Sequence, residues 1–431
     1  MWHIEDNSAN AARELSVRII KKVEKGAFLD EAIGYFFSKH PLPESQKGLI
    51  YEMAAGAIRW KSYFNWALSL YTKRPIGSDL RYLLWLSLYQ ISFMQKAPYH
   101  VVNEVVSYVK KEKGKGAANF INAILRQYLR DRDALRDGGT SRLVADNLSV
   151  RHSFPEWITV RWHKRFGRQK TTELLTALNK TPDFALRVNE KKISVEEAAR
   201  QLEKDGIETK RGVLSPAALH VGKLTPVLKH RLFQHGMVTV QDEASQLVSL
   251  SIVPRAGDRI LDACAGSGTK THHIKDIAAH ALIVSMDREA KRLELVRNEG
   301  NRVLGDASRP PFREGSFDVI LVDAPCSSLG IIRKHPEIKW HKREKDISAL
   351  GDSQVQLLKT LWGTLKTGGR MVYSVCSFEP EETTGVIERL RRSEKFTLEN
   401  PLPFLFNKEY FLSLPHETGM DGFFIAKLRK L

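Results

Sequence analysis

Arg259-Ile-Leu-Asp-Ala-Cys-Ala-Gly-Ser-Gly-Thr-Lys-Thr271 is a short apolar run that ends on an acid and passes into a turn of small residues. Apolar runs of this length bounded by glycine read as buried strands, and the segment after Gly268 reads as a helix. The alternation repeats downstream. Strands are expected at Arg259–Asp262, Ala281–Asp287, Phe317–Asp323 and Met371–Cys376, with helices at Glu289–Asn298 and Ser353–Leu365. Such βαβ alternation predicts a doubly wound, Rossmann-like α/β domain over residues 241–431.

Upstream the pattern differs. Residues 1–135 read as helices throughout, with Ile50, Met53, Ala54, Ala57 and Ile58 at helical spacing and Pro41, Pro43, Pro75 and Pro98 as punctuation. Helices are expected from Val101 to Lys111 and from Phe120 to Arg130, separated by a basic, mobile turn at Lys111–Gly116. An all-α N-terminal domain is the result, followed by a charged linker at Asp131–Thr140. Residues 141–240 read as a small α+β module. Phe154-Pro-Glu-Trp157 opens a helix carrying Arg161, Lys164, Arg165, Arg168 and Lys170; Phe184–Val188 alternates like a strand; and Ser194 with Glu197 forms a capping box. The chain is therefore multidomain.

Composition narrows the function. The 431 residues hold three cysteines, which excludes a disulfide scaffold and fits a reducing cytoplasm. No apolar run approaches a membrane span, and Met1-Trp-His-Ile-Glu-Asp6 has neither the basic nor the apolar part of a signal peptide. The net charge is +17: residues 1–150 carry +7, residues 151–240 carry +8 and the remainder +2. A positive excess concentrated outside the α/β domain points to a polyanion, of which nucleic acid is the commonest. A merely basic, soluble protein is the plainer alternative.

Open α/β sheets bind ligands at the carboxyl ends of their strands, where Asp262, Asp287, Asp306 and Asp323 are expected to stand. The turn Cys264-Ala265-Gly266-Ser267-Gly268-Thr269-Lys270 lets a ligand approach the backbone, and an acid ending the second strand suits ribose hydroxyls. A phosphate-binding loop needs glycine directly before Lys270-Thr271, where Thr269 stands. A dinucleotide fingerprint needs a third glycine at Thr271. A nucleoside cofactor without a pyrophosphate remains, and S-adenosylmethionine fits; a tight turn that binds nothing is the bland alternative.

Two cysteines follow strands. Asp323-Ala-Pro-Cys-Ser327 places Cys326 after one, and Ser374-Val-Cys-Ser377 places Cys376 at the end of the next. A free cysteine is most often a small buried hydrophobe. Two at neighbouring strand ends could instead converge beside the cofactor.

These motifs resemble those of RNA cytosine-5 methyltransferases, specifically the bacterial RsmB/Sun (Fmu) family acting on small-subunit ribosomal RNA. The resemblance runs over nearly the whole chain. Val102-Asn-Glu-Val105 and Phe120-Ile-Asn-Ala-Ile-Leu-Arg126 resemble the RNA-binding domain of the antitermination factor NusB. Leu186-Arg-Val-Asn189 and Val240-Gln-Asp-Glu-Ala-Ser245 match the family's middle region. Asp323–Ser327, Gly330-Ile-Ile-Arg-Lys-His-Pro-Glu-Ile-Lys-Trp340 and Asp421-Gly-Phe-Phe424 are the specific ones. Two departures stand out. Gly266, Ser267 and Thr269 replace the family's Ala, Pro and second Gly, and Val375 replaces its Thr before the second cysteine.

The resemblance implies a cytidine of 16S rRNA as substrate and a covalent mechanism. Cys376 would add to C6, Asp323 would hold the polar edge of the base, and Cys326 would help release the product. DNA cytosine methyltransferases use a Pro-Cys cysteine as nucleophile, which makes Cys326 the competitor. S-adenosylmethionine would lie along Cys264–Lys270, with Asp287 on its ribose, Asp306 near its adenine and Asp323 nearby. Arg187, the Arg161–Lys170 helix and the Lys111–Lys115 turn are candidates for RNA phosphates, each with a solvated charged face as the alternative. No metal site is indicated, and nothing in the sequence demands more than a monomer. The competing function is a non-catalytic RNA-binding or assembly factor built on a degenerate methyltransferase fold.

Overall fold

The computed structural model describes residues 8–94, 96–136, 147–278, 280–296 and 301–431. The chain forms two compact units, Met1–Asn179 with Lys334–Lys342, and Lys180–Arg333 with Arg343–Leu431.

The first unit is helical among the described residues. Helices span Ser8–Val23, Leu29–Lys39, Glu44–Arg59, Lys61–Tyr71, Ser78–Phe93, Pro98–Arg136, Leu148–His152 and Glu156–Asn179. The apolar stripe expected over Ile50–Ile58 is buried in its core. Gly56 is required there: a Cβ would stand 2.1 Å from the Tyr89 ring, so these two helices pack backbone against ring. The expected turn at Lys111–Gly116 narrows to one residue, Gly114, whose φ of +84° breaks the Pro98–Arg136 helix. Part of the expected linker, residues 137–140, lies outside the described residues.

Lys334–Lys342 also belongs to this unit. Its Lys339 is fully buried and donates to the carbonyls of Arg59 (3.3 Å) and Ser153 (3.1 Å) and to Asn179 Oδ1 (2.6 Å). Trp340 donates its indole N–H to the Ile58 carbonyl at 2.9 Å. The motif Gly330–Trp340 thus ends as an anchor that satisfies carbonyls at helix ends.

The second unit holds two sheets. Strands β1 (Phe184–Val188), β2 (Thr209–Arg211), β3 (Ala218–Val221) and β4 (Val238–Val240) form an antiparallel sheet in the order β2-β3-β1-β4. Ser194 caps the Val195–Lys204 helix by accepting from the Glu197 N–H. Arg187 on β1 is 2% exposed, bound to Gln241 and, at 2.7 Å, to Asp276. This corrects its candidacy for RNA phosphates, because its charge is spent inside the protein.

The larger sheet contains β5 (Arg259–Asp262), β6 (Leu282–Asp287), β7 (Arg302–Leu304), β8 (Phe317–Asp323), β9 (Leu365–Val375), β10 (Phe396–Glu399), β11 (Tyr410–Ser413) and β12 (Phe423–Lys430). Its order is β10-β12-β9-β8-β5-β6-β7, with β11 also paired to β12. The strands from β9 to β7 run parallel, and β12 lies antiparallel to β9. Alternate side chains enter opposite layers. Leu261, Ile320 and Val322 pack against the Glu344–Thr364 and Thr384–Arg391 helices, whereas Ile260, Val319 and Leu321 pack against Glu243–Leu250 and Thr269–Ile277. Strand order reverses about β5, so the switch point lies at its carboxyl end. The helix expected at Glu289–Asn298 is described over Ala290–Leu293, and residues 297–300 lie outside the described residues.

Candidate active site

At the carboxyl end of β5 the chain turns through Gly266 (φ +55°) and Gly268 (φ +81°) into the Thr269–Ile277 helix. A Cβ on Gly268 would come within 3.0 Å of Val296, so both φ and space demand glycine there. A Cβ on Gly266 would meet open space. Asp287, ending β6, accepts from the Gly266 N–H (2.8 Å) through one oxygen and from the Glu289 N–H (2.9 Å) through the other. The turn and the second strand end are thereby locked together.

Beneath the turn lies Asp262, 1% exposed. Its Oδ2 accepts from Thr271 Oγ1 at 2.6 Å, and its Oδ1 has no hydrogen-bond partner among the described residues. Burial pushes its pKa up to about 6, against the pull of Thr271 and Lys270. An orphaned carboxylate oxygen beside a glycine turn, with a second acid at the next strand end, is a donor set suited to an ammonium and ribose hydroxyls. The residues present fit S-adenosylmethionine. Asp306 follows β7 on the surface. Its carboxylate accepts from the Ser308 N–H at 2.8 Å, and that bond holds its pKa below the ordinary value. Burial pushes the Cys264 thiol up, leaving this residue its backbone to offer.

Lys270 does not face outward. Its ammonium meets Asp323 Oδ2 at 2.5 Å. Burial works against the lysine charge, and the Asp323 carboxylate outweighs it, so the ammonium is held above its ordinary pKa. The other Asp323 oxygen accepts from Ser374 Oγ at 2.7 Å. Asp323 and Ser374 are also register partners on β8 and β9.

The two thiols converge. Cys326 Sγ and Cys376 Sγ lie 3.2 Å apart, and Ser328 Oγ stands 3.4 Å from Cys376 Sγ. The pair is asymmetric. The hydrogen bond from Cys326 lowers the pKa of Cys376 against its burial, with help from Ser328, whereas the same bond, and then burial, push Cys326 well above the ordinary value. Of the two sulfurs, Cys376 is the one whose ionisation the surroundings favour.

Gly330 fixes the backbone behind Cys376. Its N–H donates to the Cys376 carbonyl (3.0 Å), and its own carbonyl accepts from the Gly422 N–H (2.9 Å). The motif at Asp421–Phe424 therefore closes on the thiol loops. Arg333 reinforces it through Asp421 and the Gly419 carbonyl.

Three comparisons bear on this arrangement. The description 16S rRNA methyltransferase RsmB/F matches residues 249–429, the NusB family matches 10–130, and the ferredoxin-like domain of RsmF/B-like methyltransferases matches 154–228. Ribosomal RNA small subunit methyltransferase B of Pasteurella multocida (strain Pm70) is 32% identical over 441 residues, covering 98% of this chain and 96% of that protein. The chain belongs to the RsmB/F family of 16S rRNA methyltransferases. A probable small subunit methyltransferase B of Bacillus subtilis (strain 168) is 30% identical over 97% of this chain and 99% of its own. Among solved structures, a methyltransferase homolog protein from Pyrococcus horikoshii is 25% identical with a TM-score of 0.54, covering 66% of this chain and 97% of its own. NSun6 from the same organism, solved with SFG, shares the fold at 21% identity and a TM-score of 0.56, covering 65% and 99%.

The family is S-adenosylmethionine-dependent and acts on small-subunit rRNA. For this member, the sequence pattern singles out the glycine turn, the strand-end acids and both thiols. It misses Ser328, Ser374, Gly330's role and Glu382. Ser328 had a signal, since it completes Cys326-Ser-Ser328 beside a motif already identified. Glu382 had none, because Glu381 and Glu382 after Pro380 read as ordinary acids in a first helical turn. No group of three or more ligating side chains that could hold a metal ion occurs among the described residues, and no helix among them is long and apolar enough to cross a membrane.

Proposed function

We propose that this chain methylates C5 of a cytidine in 16S rRNA, with Cys376 as the nucleophile. The observation that carries the reading is the 3.2 Å thiol pair in which Cys376 is the sulfur favoured to ionise. C5 of cytosine is a poor nucleophile. Addition of the Cys376 thiolate to C6 forms the S–C6 bond and moves electron density to C5. S-adenosylmethionine, when bound, supplies an electrophilic methyl group. Gly266, Asp287 and Asp306 hold its nucleoside part and Asp262 takes its ammonium. Asp323, clamped between Lys270 and Ser374, presents its remaining lone pairs to the amino edge of the base. After transfer the C5 proton leaves to a base, the S–C6 bond breaks, and Cys376 departs as thiolate. Cys326 is the group that stabilises this leaving sulfur by donating its S–H.

The target base must be unstacked to meet the thiol. Residues 1–135 and 141–240, with their +15, position the RNA through phosphates, and residues 241–431 carry out the chemistry. A reducing cytoplasm keeps the pair as thiols.

The test compares two variants. Cys376→Ala abolishes methyl transfer and any covalent RNA adduct, whereas Cys326→Ala retains attack and accumulates the adduct. Methylation by Cys376→Ala, together with no adduct from Cys326→Ala, reverses the assignment. Bisulfite mapping of 16S rRNA from cells with and without the gene identifies the base.

A further inference from the structure

Glu382 touches neither the glycine turn nor a thiol sulfur, and it is fully buried. A carboxylate placed there without a cation has to be held by donors. Four converge on it. Oε1 accepts from the Ser327 N–H (2.7 Å) and from Gln354 Nε2 (3.3 Å). Oε2 accepts from Ser377 Oγ (2.6 Å) and from Ser327 Oγ. An ionised carboxylate accepts all four, while a protonated one would have to turn one of them away. Burial lifts its pKa above the ordinary value, with the serine bonds pulling the other way.

The partners are not arbitrary. Ser327 directly follows Cys326, and Ser377 directly follows Cys376. The two serine hydroxyls lie 3.2 Å apart, as the two thiols do. Gln354 also donates to the Pro325 carbonyl (2.9 Å), and Tyr373 donates to Gln354 Oε1 (3.0 Å) and to the Glu382 carbonyl (2.6 Å). On the Cys326 side the carboxylate grips a backbone amide, and on the Cys376 side only a side-chain hydroxyl. Its negative charge is accordingly among the influences that push the Cys326 thiol up.

We infer that Glu382 is a positioning residue for the thiol pair: its carboxylate ties the two cysteine loops together through Ser327 and Ser377, and its charge beside Cys326 selects Cys376 as the sulfur that ionises. The inference deepens the proposed role of Cys376 and rests on it for its bearing on catalysis. Its effect on the thiols themselves needs neither RNA nor cofactor.

The experiment is therefore iodoacetamide alkylation of the full-length protein from about pH 6 to about pH 10, mapped by peptide mass spectrometry. The wild type alkylates Cys376 ahead of Cys326 at the acidic end. In Glu382→Gln this preference collapses, because loss of the charge lets the alkylation midpoint of Cys326 fall by about one pH unit. Glu382→Asp restores the charge and with it the preference between sulfurs, though its shorter reach loosens the loops. In turnover, Glu382→Gln lowers kcat about 100-fold, the scale of a misplaced reacting group, with KM for S-adenosylmethionine within about twofold of wild type. A folded Glu382→Gln with wild-type alkylation preference and pH profile overturns the inference. If Glu382→Gln fails to fold, Ser327→Ala and Ser377→Ala each remove one donor, and an unchanged alkylation profile in both overturns it equally. Methyl transfer surviving in Cys376→Ala removes the nucleophile assignment instead and leaves the alkylation result standing.

Discussion

Asp262 carries opposing demands in one side chain. Ordering a charged acceptor beneath the glycine turn serves a cationic ligand, but in the free protein that charge is buried with one oxygen unpartnered. Its folded pKa, pushed up to about 6 from 3.8, means that the cost of burial is absent below pH 3.8, grows between the two values and is complete above about pH 6. Each tenfold loss of acidity is worth about 1.4 kcal/mol, which makes the full cost about 3 kcal/mol. In Asp262→Asn the acyl oxygen still accepts from Thr271, and the unpartnered amide adds a cost that does not vary with pH. The stability of the variant relative to wild type therefore improves by about 3 kcal/mol between about pH 4 and about pH 7, read from urea unfolding at each pH. Calorimetric affinity for S-adenosylmethionine falls in the same variant. A pH-independent difference between the two proteins would show that Asp262 ionises alike in the folded and unfolded chain, with no cost of burying its charge. Residues of this kind were legible because each stands in a local context, an acid at the end of an apolar run. Glu382 was not, since its partners Ser327 and Gln354 lie 55 and 28 positions away.

At the level of elements, three loops meet at a point where only glycine fits. A Cβ on Gly330 would stand 2.0 Å from the Gly422 carbonyl oxygen and 2.9 Å from that of Cys376. Neither backbone can retreat without breaking the bonds that run from Gly422 to Gly330 and from Gly330 to Cys376. Gly330→Ala is expected to cost about 3 kcal/mol, as overpacking against backbone does, and to abolish methyl transfer in whatever fraction folds. A normal urea midpoint with normal turnover would refute the interlock. The sequence exposed the parallel strands β5, β6 and β8, whose near-continuous apolar runs are the mark of strands buried on both faces. It hid β7, β12 and the first part of β9, which was expected only from Met371, for identifiable reasons. β7 is three residues long with two of them exposed. β9 begins at Leu365 and passes through Gly368-Gly369, a pair that reads as a turn. β12 is buried from Phe423 to Leu428, so no alternation marks it. The Glu344–Thr364 helix starts nine residues before the expected Ser353, its first turn held by Asp346 accepting from the Arg343 N–H.

For the whole molecule, the partition of charge carries the argument. Of the net +17, residues 1–240 hold +15. Not all of that is available to a polyanion. Arg187 spends its charge on Asp276. Lys164 and Lys170, on either side of the break at Gly167 (φ +76°) within Glu156–Asn179, are exposed. Each phosphate neutralised releases condensed counterions, so the slope of log affinity against log salt counts such contacts, at about 0.7 to 0.9 per phosphate. Binding of 16S rRNA fragments is therefore expected to weaken steeply as salt rises. Lys164→Ala with Lys170→Ala reduces that slope by about 1.4 to 1.8 when both lysines meet phosphate. Arg187→Ala serves as the internal contrast: it lowers stability because it strips Asp276 of its buried partner, but it leaves the slope where it was. An unchanged slope in the double lysine variant would place the RNA on another face, and a flattened slope in Arg187→Ala would mean that this buried arginine reaches RNA after all.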